Sequence, residues 1–351
     1  MKRILVCPLD WGLGHATRCI PIIRELLRQG AEVLLASAGD AGILLRNEFP
    51  SLRYFDLPSY DPSYPLDGSM SVKMLFQLPK FIRTVTAEHG VTEELVQKHL
   101  VDIVISDNRY GCYSVSAKSI FITHQPDIIM PEGWSSLAPM VNSLTHRYIK
   151  KFQEVWIPDL PSSGLTTAFG TGRVMGWKFI GWLSRFHPAK DVERKYDLIA
   201  IISGPEPQRG LFSENMLIQL KKSGLSSLLV AGEPGKYYHR KEGHVEIVNH
   251  LSSTELESAI NASKIVISRS GYSTVMDLIV LGKKAIFVPT PQQPEQIILA
   301  RQLSHEGVTL FEYQDKFDLE KALRRVDLFS GFSIYKAESG LLEKEILNLL
   351  A

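Results

Sequence analysis

Short apolar runs alternate with helical stripes along nearly the whole chain. Residues 3–7, 32–36, 102–106 and 119–123 are runs of Ile, Val and Leu with little polar alternation. That is the pattern of parallel strands covered on both faces. Between residues 18 and 28, Ile20, Ile23 and Leu27 share one stripe and predict a helix. Pro21 fits it only near a first turn, or with a kink. The rhythm then restarts, with strand-like runs at 197–203, 227–231, 264–268, 284–288 and 308–311. Helical patterns near 212–222, 254–262, 273–281, 295–304 and 318–327 separate them. Such βαβ repetition predicts an α/β protein of two Rossmann-like, doubly wound domains with a cleft between them.

The break falls where Pro158, Pro161, Ser162, Ser163 and Gly164 interrupt regular structure. The expected division is an N-terminal domain over 1–160, a linker over 161–194, and a second domain over 195–330. The segment 331–351 carries Leu341, Leu342, Ile346, Leu349 and Leu350 at helical spacing. It reads as a C-terminal helix that packs back on the first domain.

Charge removes some function classes. Lys+Arg 39 against Asp+Glu 38 gives a net charge of +1, which offers no field to a polyanion and argues against a nucleic-acid partner. No apolar run reaches the roughly 18 residues of a membrane span. The first residues, MKRILVCPLDWGLGHATR, do not form a signal peptide, because the apolar run 4–7 passes into Gly-rich sequence. Three cysteines are too few for a disulfide framework, so a cytoplasmic protein is expected.

In open parallel sheets, ligands bind beyond the carboxyl ends of the strands. After the first strand, Gly12-Leu13-Gly14 lets a backbone approach a ligand, and His15 stands where a helix begins. The third glycine of a dinucleotide fingerprint is replaced by Thr17, so a nicotinamide site fits poorly. Asp107 follows the run 102–106 at its carboxyl end. In the second half, Arg269-Ser270-Gly271-Tyr272-Ser273-Thr274 is a small-residue turn entering a helix, suited to a diphosphate. Asp277 lies a turn further on, within reach of ribose hydroxyls. Pro289–Gln296 then offers amides and a carboxylate to a sugar. Ser203-Gly204 opens the matching loop of the first strand of this half, stiffened by Pro205 and Pro207. A capped helix and a solvated Gln-rich loop account for either segment alone, and less easily for both on successive loops.

Together these residues resemble the GT-B glycosyltransferases, in particular the family of the peptidoglycan lipid-intermediate N-acetylglucosaminyltransferase and the plant galactolipid synthases. The best patch is residues 268–300, SRSGYSTVMDLIVLGKKAIFVPTPQQPEQIILA. The resemblance implies that Ser270, Gly271, Ser273 and Thr274 meet a donor diphosphate and that Asp277 holds a ribose where the family has Glu. It sets Glu295 and Gln296 near a sugar-contacting Gln pair, across a one-residue gap. Leu251 falls where a backbone contact reads uracil, and Arg185 where an interdomain Arg nears the phosphates. Gly12, Gly14 and His15 look like the family's Gly-rich loop, with Gly14 on the donor side. His124 and Gln125 match a segment facing the acceptor. The family's Gly-Gly-Ser-Gln-Gly loop is here Gly-Pro-Glu-Pro-Gln, with Ser203 just before it.

The resemblance implies an inverting transferase using a nucleoside diphosphate sugar of the UDP series, and a glycan or lipid-linked acceptor. His15 is the first candidate for the general base, because an imidazole with a pKa of about 6.5 can accept a proton at neutrality. Asp107 is the second. No Asp-x-Asp metal motif appears, so no metal or other cofactor is expected. A nucleotide-sugar hydrolase or epimerase-like enzyme, and a non-catalytic sugar-nucleotide-binding protein, remain open on the same scaffold. Residues 71–86 and 140–152 mix large apolar residues with Lys73, Lys80, Arg83, Arg147, Lys150 and Lys151 and no acid. They suit peripheral contact with an anionic membrane, at its inner face.

Overall fold

The computed structural model describes residues 1–351 apart from 61–69, 131–134, 162–164, 167–176, 190, 234–236 and 336–339; for 70–78 and 135 it describes the backbone alone. The chain divides into two units, Met1–Ser184 with Glu338–Ala351, and Arg185–Ala337. Ser162, Ser163 and Gly164 of the expected linker lie outside the described residues.

The first unit runs β1 (Arg3–Pro8), α1 (Leu13–Arg28), β2 (Glu32–Ser37), α2 (Gly39–Glu48), β3 (Arg53–Asp56), α3 (Met70–His99), β4 (Ile103–Asp107), β5 (Lys118–Ile122), α4 (Ala138–Ile149), β6 (Glu154–Ile157) and β7 (Trp177–Phe179). Its seven strands are all parallel, in the order β3-β2-β1-β4-β5-β6-β7. The apolar runs are buried on both faces, as Ile4, Leu5, Val6 and Cys7 illustrate.

The second unit runs β8 (Tyr196–Ile201), α5 (Gln208–Ser223), β9 (Ser227–Val230), β10 (His239–Glu242), β11 (Val245–Val248), α6 (Ser253–Asn261), β12 (Ser263–Ser268), α7 (Tyr272–Leu281), β13 (Lys284–Phe287), α8 (Pro294–His305), β14 (Leu310–Phe311) and α9 (Leu319–Arg325). Its order is β10-β11-β9-β8-β12-β13-β14, parallel except for the β10–β11 hairpin. Phe212, Met216 and Leu220 of α5 pack with Leu319 and Ala322 of α9 over one face of this sheet.

The last helix, α10 (Leu341–Leu350), belongs to the first unit. Ile346 and Leu349 are its buried residues, and Arg28 of α1 pairs with Glu343 at 2.6 Å. Lys178 of β7 reaches Glu345 at 3.2 Å.

One expectation needs correction. Helix α1 begins at Leu13 rather than near residue 18, so Gly14 and His15 occupy its first turn and Pro21 lies well inside it. Gly12, the N-cap, has φ 83°, a conformation that favours glycine, and this allows the early start. Pro21 removes the N–H that would bond the Thr17 carbonyl, and burial of Ile20, Ile22 and Ile23 against the core offsets that loss.

Candidate active site

In each sheet the chain order reverses at one place, and that is where α/β proteins build sites. In the first unit the reversal lies between β1 and β4. The loop after β1 delivers His15, and the last residue of β4 is Asp107. The fold therefore brings together two residues 92 positions apart in sequence. His15 Nδ1 stands 3.1 Å from Asp107 Oδ1.

A third group completes this cluster. Arg18, one turn beyond His15 in α1, sends Nε to Asp107 Oδ2 at 2.5 Å and Nη2 to Oδ1. Its Nη1 lies 2.9 Å from Nδ1 of His124, just past β5, and its Nη2 lies 2.7 Å from His15 Nδ1. Arg18, Asp107 and His124 are buried, whereas the His15 side chain remains 16% exposed. Gln125 is half-buried beside His124, its N–H held by Thr123 Oγ1.

Burial would raise the Asp107 carboxyl, but Arg18 and His15 outweigh it and hold the group well below the usual carboxylate range. Burial, then Arg18, lowers the His15 imidazole below its ordinary value against the pull of Asp107. His15 is therefore neutral at pH 7. A neutral ring carries one proton, so Nδ1 can donate to Asp107 or accept from Arg18. Donation to Asp107 leaves Nε2 with the lone pair that a general base needs.

Beneath the same loops lies a second ionic group that the sequence reading missed. The buried Arg109 pairs with Glu88 of α3 at 2.6 Å and with Asp10 at 3.0 Å. It also donates to the carbonyls of Pro8 and Pro58. Glu88 further accepts from Tyr60 Oη and Gly111 N. This group ties the end of β1 and the loop leading to His15 to the segment that follows Asp107.

In the second unit the reversal lies between β8 and β12, and the loops carrying Ser203-Gly204 and Ser270-Gly271 follow those strands. Gly204 has φ +107°, and a Cβ there would stand 3.3 Å from Thr290 Oγ1. Gly271 is the N-cap of α7, with Ser273 and Thr274 in the first turn. Asp277 is half-buried further along α7, and Glu295 is half-buried in the first turn of α8.

Gln296 holds two of these loops together. Its Oε1 accepts from Thr290 N at 2.8 Å, and its carbonyl accepts from Ser270 Oγ at 2.7 Å. Its side-chain oxygen is thus engaged in shaping the β13–α8 loop. Arg185 stands against the start of α6. It donates to Ser253 Oγ at 3.0 Å, and with burial it lowers the His250 imidazole. Leu251 is placed beside it by the Ser252–Glu255 capping box of α6. Among the described residues, no cluster of three or more His, Cys, Asp or Glu is placed to hold a metal ion.

Two seven-stranded α/β sheets of this kind, parallel but for one hairpin, make up a GT-B architecture. The protein is a glycosyltransferase. Residues 230–343 match the glycosyltransferase family 28 C-terminal domain. An uncharacterized glycosyltransferase of Methanosarcina mazei is 21% identical, covering 98% of both chains. The UDP-N-acetylglucosamine–N-acetylmuramyl-(pentapeptide) pyrophosphoryl-undecaprenol N-acetylglucosamine transferase of Clostridium tetani is 24% identical over 88% of this chain and 85% of its own. Among solved structures, the spinosyn rhamnosyltransferase SpnG complexed with thymidine diphosphate superposes with a TM-score of 0.61 at 14% identity, over 99% of this chain and 96% of that one.

Proposed function

We propose that this glycosyltransferase moves a sugar from a nucleoside diphosphate, of the UDP series, to an acceptor hydroxyl, with inversion and without a metal. The observation that carries the reading is His15, neutral and partly exposed, backed by a fully ionised, buried Asp107. His15 Nε2 takes the acceptor proton as the acceptor oxygen bonds the anomeric carbon. The bond from that carbon to the diphosphate oxygen breaks, and its electron pair leaves on the diphosphate. Asp107 orients the ring and stabilises the imidazolium as it forms, the part a buried carboxylate plays in other acid–base pairs. Arg18 fixes Asp107 and is assigned a positioning role.

The second unit holds the donor in this reading. The amino end of α7 and Arg185 face the diphosphate, and Asp277 accepts from the ribose hydroxyls. The Clostridium tetani relative is named for a UDP-sugar and the SpnG structure holds thymidine diphosphate, which supports a nucleoside diphosphate donor. Replacing Asp277 by Ala should weaken UDP binding about 10- to 150-fold, the loss of one charge-assisted hydrogen bond. Unchanged calorimetric affinity would remove Asp277 from the site. Incubation with UDP-sugars alone separates transfer from hydrolysis, because stoichiometric release of sugar without acceptor contradicts a transferase.

A lipid-linked acceptor belongs to the same proposal. Phe81 of α3 and Tyr148 of α4 pack on one cluster with Leu9, Tyr60 and Val85, so parts of both basic, apolar stretches share one surface of the first unit. Lys80, Arg83, Arg147, Lys150 and Lys151 of these stretches are exposed, as is Met140; the Lys73 side chain lies outside the described residues. Among the described residues no helix is long and apolar enough to cross a membrane. Binding in the headgroup region would set the enzyme at the cytoplasmic face of a bilayer. Each basic residue near an anionic surface contributes about 1 kcal/mol. Sedimentation with anionic vesicles should therefore be salt-sensitive and lost on replacing Lys150 and Lys151 by Glu. Equal recovery in the supernatant with and without vesicles at low salt would favour a water-soluble acceptor.

A further inference from the structure

Arg269 follows β12 and is 1% exposed. Among the described residues, the other large buried cations face acids: Arg18 faces Asp107, and Arg109 faces Glu88 and Asp10. Arg269 faces none among the described residues. Its guanidinium lies over the Phe212 ring, 4.1 Å from the centroid. Its N–H groups all end on neutral oxygens. Nε points to Ser203 O at 3.5 Å, Nη1 to Val288 O at 2.8 Å and Pro289 O at 3.1 Å, and Nη2 to Gln208 O at 3.2 Å and Gln314 Oε1 at 2.6 Å. Burial lowers its pKa only to about 10, so it stays a cation at neutrality.

A buried charge without a counter-ion is costly, and carbonyl dipoles compensate it only in part. The segments Arg269 ties together are the loop after β8, the end of β13 and its own turn into α7. Two buried hydroxyls next to its attachment points, Ser268 Oγ and Thr290 Oγ1, have no hydrogen-bond partner among the described residues. The carboxyl edge of this sheet therefore combines an unbalanced positive charge with unfilled polar groups, the complement of a small polyanion.

We propose that Arg269 is a positioning residue whose uncompensated charge, held beneath these loops, attracts the donor's diphosphate without touching it. Its donors are already engaged by loop oxygens, so it acts through field and loop shape. The proposal rests on the donor site assigned above, and its test keeps the two apart.

Calorimetric titration of the full chain with inorganic pyrophosphate, UDP and uridine, for wild type, Arg269→Met and Arg269→Lys, is the experiment. Arg269→Met should weaken pyrophosphate and UDP by about tenfold or more and uridine by less than about twofold, because the lost term scales with ligand charge. Arg269→Lys keeps the charge with fewer donors, so it should lower Tm yet hold pyrophosphate within about threefold of wild type. Parallel loss of uridine and UDP in Arg269→Met would make the residue purely structural and overturn the proposal. So would equal losses of pyrophosphate in the two variants, or no pyrophosphate binding by wild type at low salt. If Arg269→Met does not fold, retention of pyrophosphate by Arg269→Lys supports the proposal and its loss overturns it. Wild type that binds pyrophosphate but not UDP leaves the charge effect standing and removes the UDP reading alone.

Discussion

Replacing His15 by Ala is expected to lower turnover by about two to four orders of magnitude, as for a lost general base, with donor affinity within a few-fold of wild type. His15 is the partly exposed member of an otherwise buried ionic cluster, so it is the member able to meet a substrate. The pH profile gives an independent check. A base must be unprotonated, and burial followed by Arg18 lowers the His15 pKa. The acid limb of kcat/KM should thus lie below about 6.5, the ordinary imidazole value, with the rate flat from there to neutrality. Collapse of donor binding in His15→Ala, with turnover per bound donor intact, would make His15 a phosphate contact instead.

The largest expected effect on stability comes from Arg109→Met. Removing one partner of a buried ion pair costs about 3–5 kcal/mol, because the other charge stays desolvated. Here two carboxylates, Glu88 and Asp10, would lose their cation. All five tryptophans of the chain precede residue 185, so tryptophan fluorescence in urea reads the first unit alone. The loss should also depend on pH. Burial already raises the Glu88 pKa above its ordinary value, and without Arg109 it would rise further. A carboxyl raised in the folded state binds its proton more tightly there than in the unfolded chain. Its contribution is complete below the unfolded pKa, about 4.3, and disappears as pH climbs through the folded value. The destabilisation by Arg109→Met should therefore be greater at pH 8 than at pH 5. A pH-independent loss under about 1 kcal/mol would contradict the assignment.

The double α/β architecture was readable because its strands are covered on both faces and so appear as unbroken apolar runs, as at Ile4–Cys7 and Ile265–Ile267. His15 and Asp107 were readable as residues following strands. Helix α3 was not. Among the positions it buries, Thr84, Glu88 and Thr92 at successive turns are polar, so the apolar stripe of Val85, Leu95 and Val96 is diluted, and Pro79 interrupts the pattern further. Arg18 and Arg109 escaped for a related reason. A charged residue on a helix or in a loop ordinarily reads as solvated, and each is buried by acids distant in sequence. The β10–β11 hairpin was missed because its first strand, His-Arg-Lys-Glu, is charged throughout, as suits an exposed edge.

The return of α10 to the first unit has a consequence for how the protein is made. Chains emerge from the ribosome at about 5–20 residues per second, and domains generally fold as they appear. The second unit is encoded between β7 and α10, so it leaves the exit tunnel before the helix that carries Ile346 and Leu349. Until then the partners of Glu343 and Glu345, Arg28 on α1 and Lys178 on β7, wait without them. The half of the molecule that is translated first is the half that is finished last.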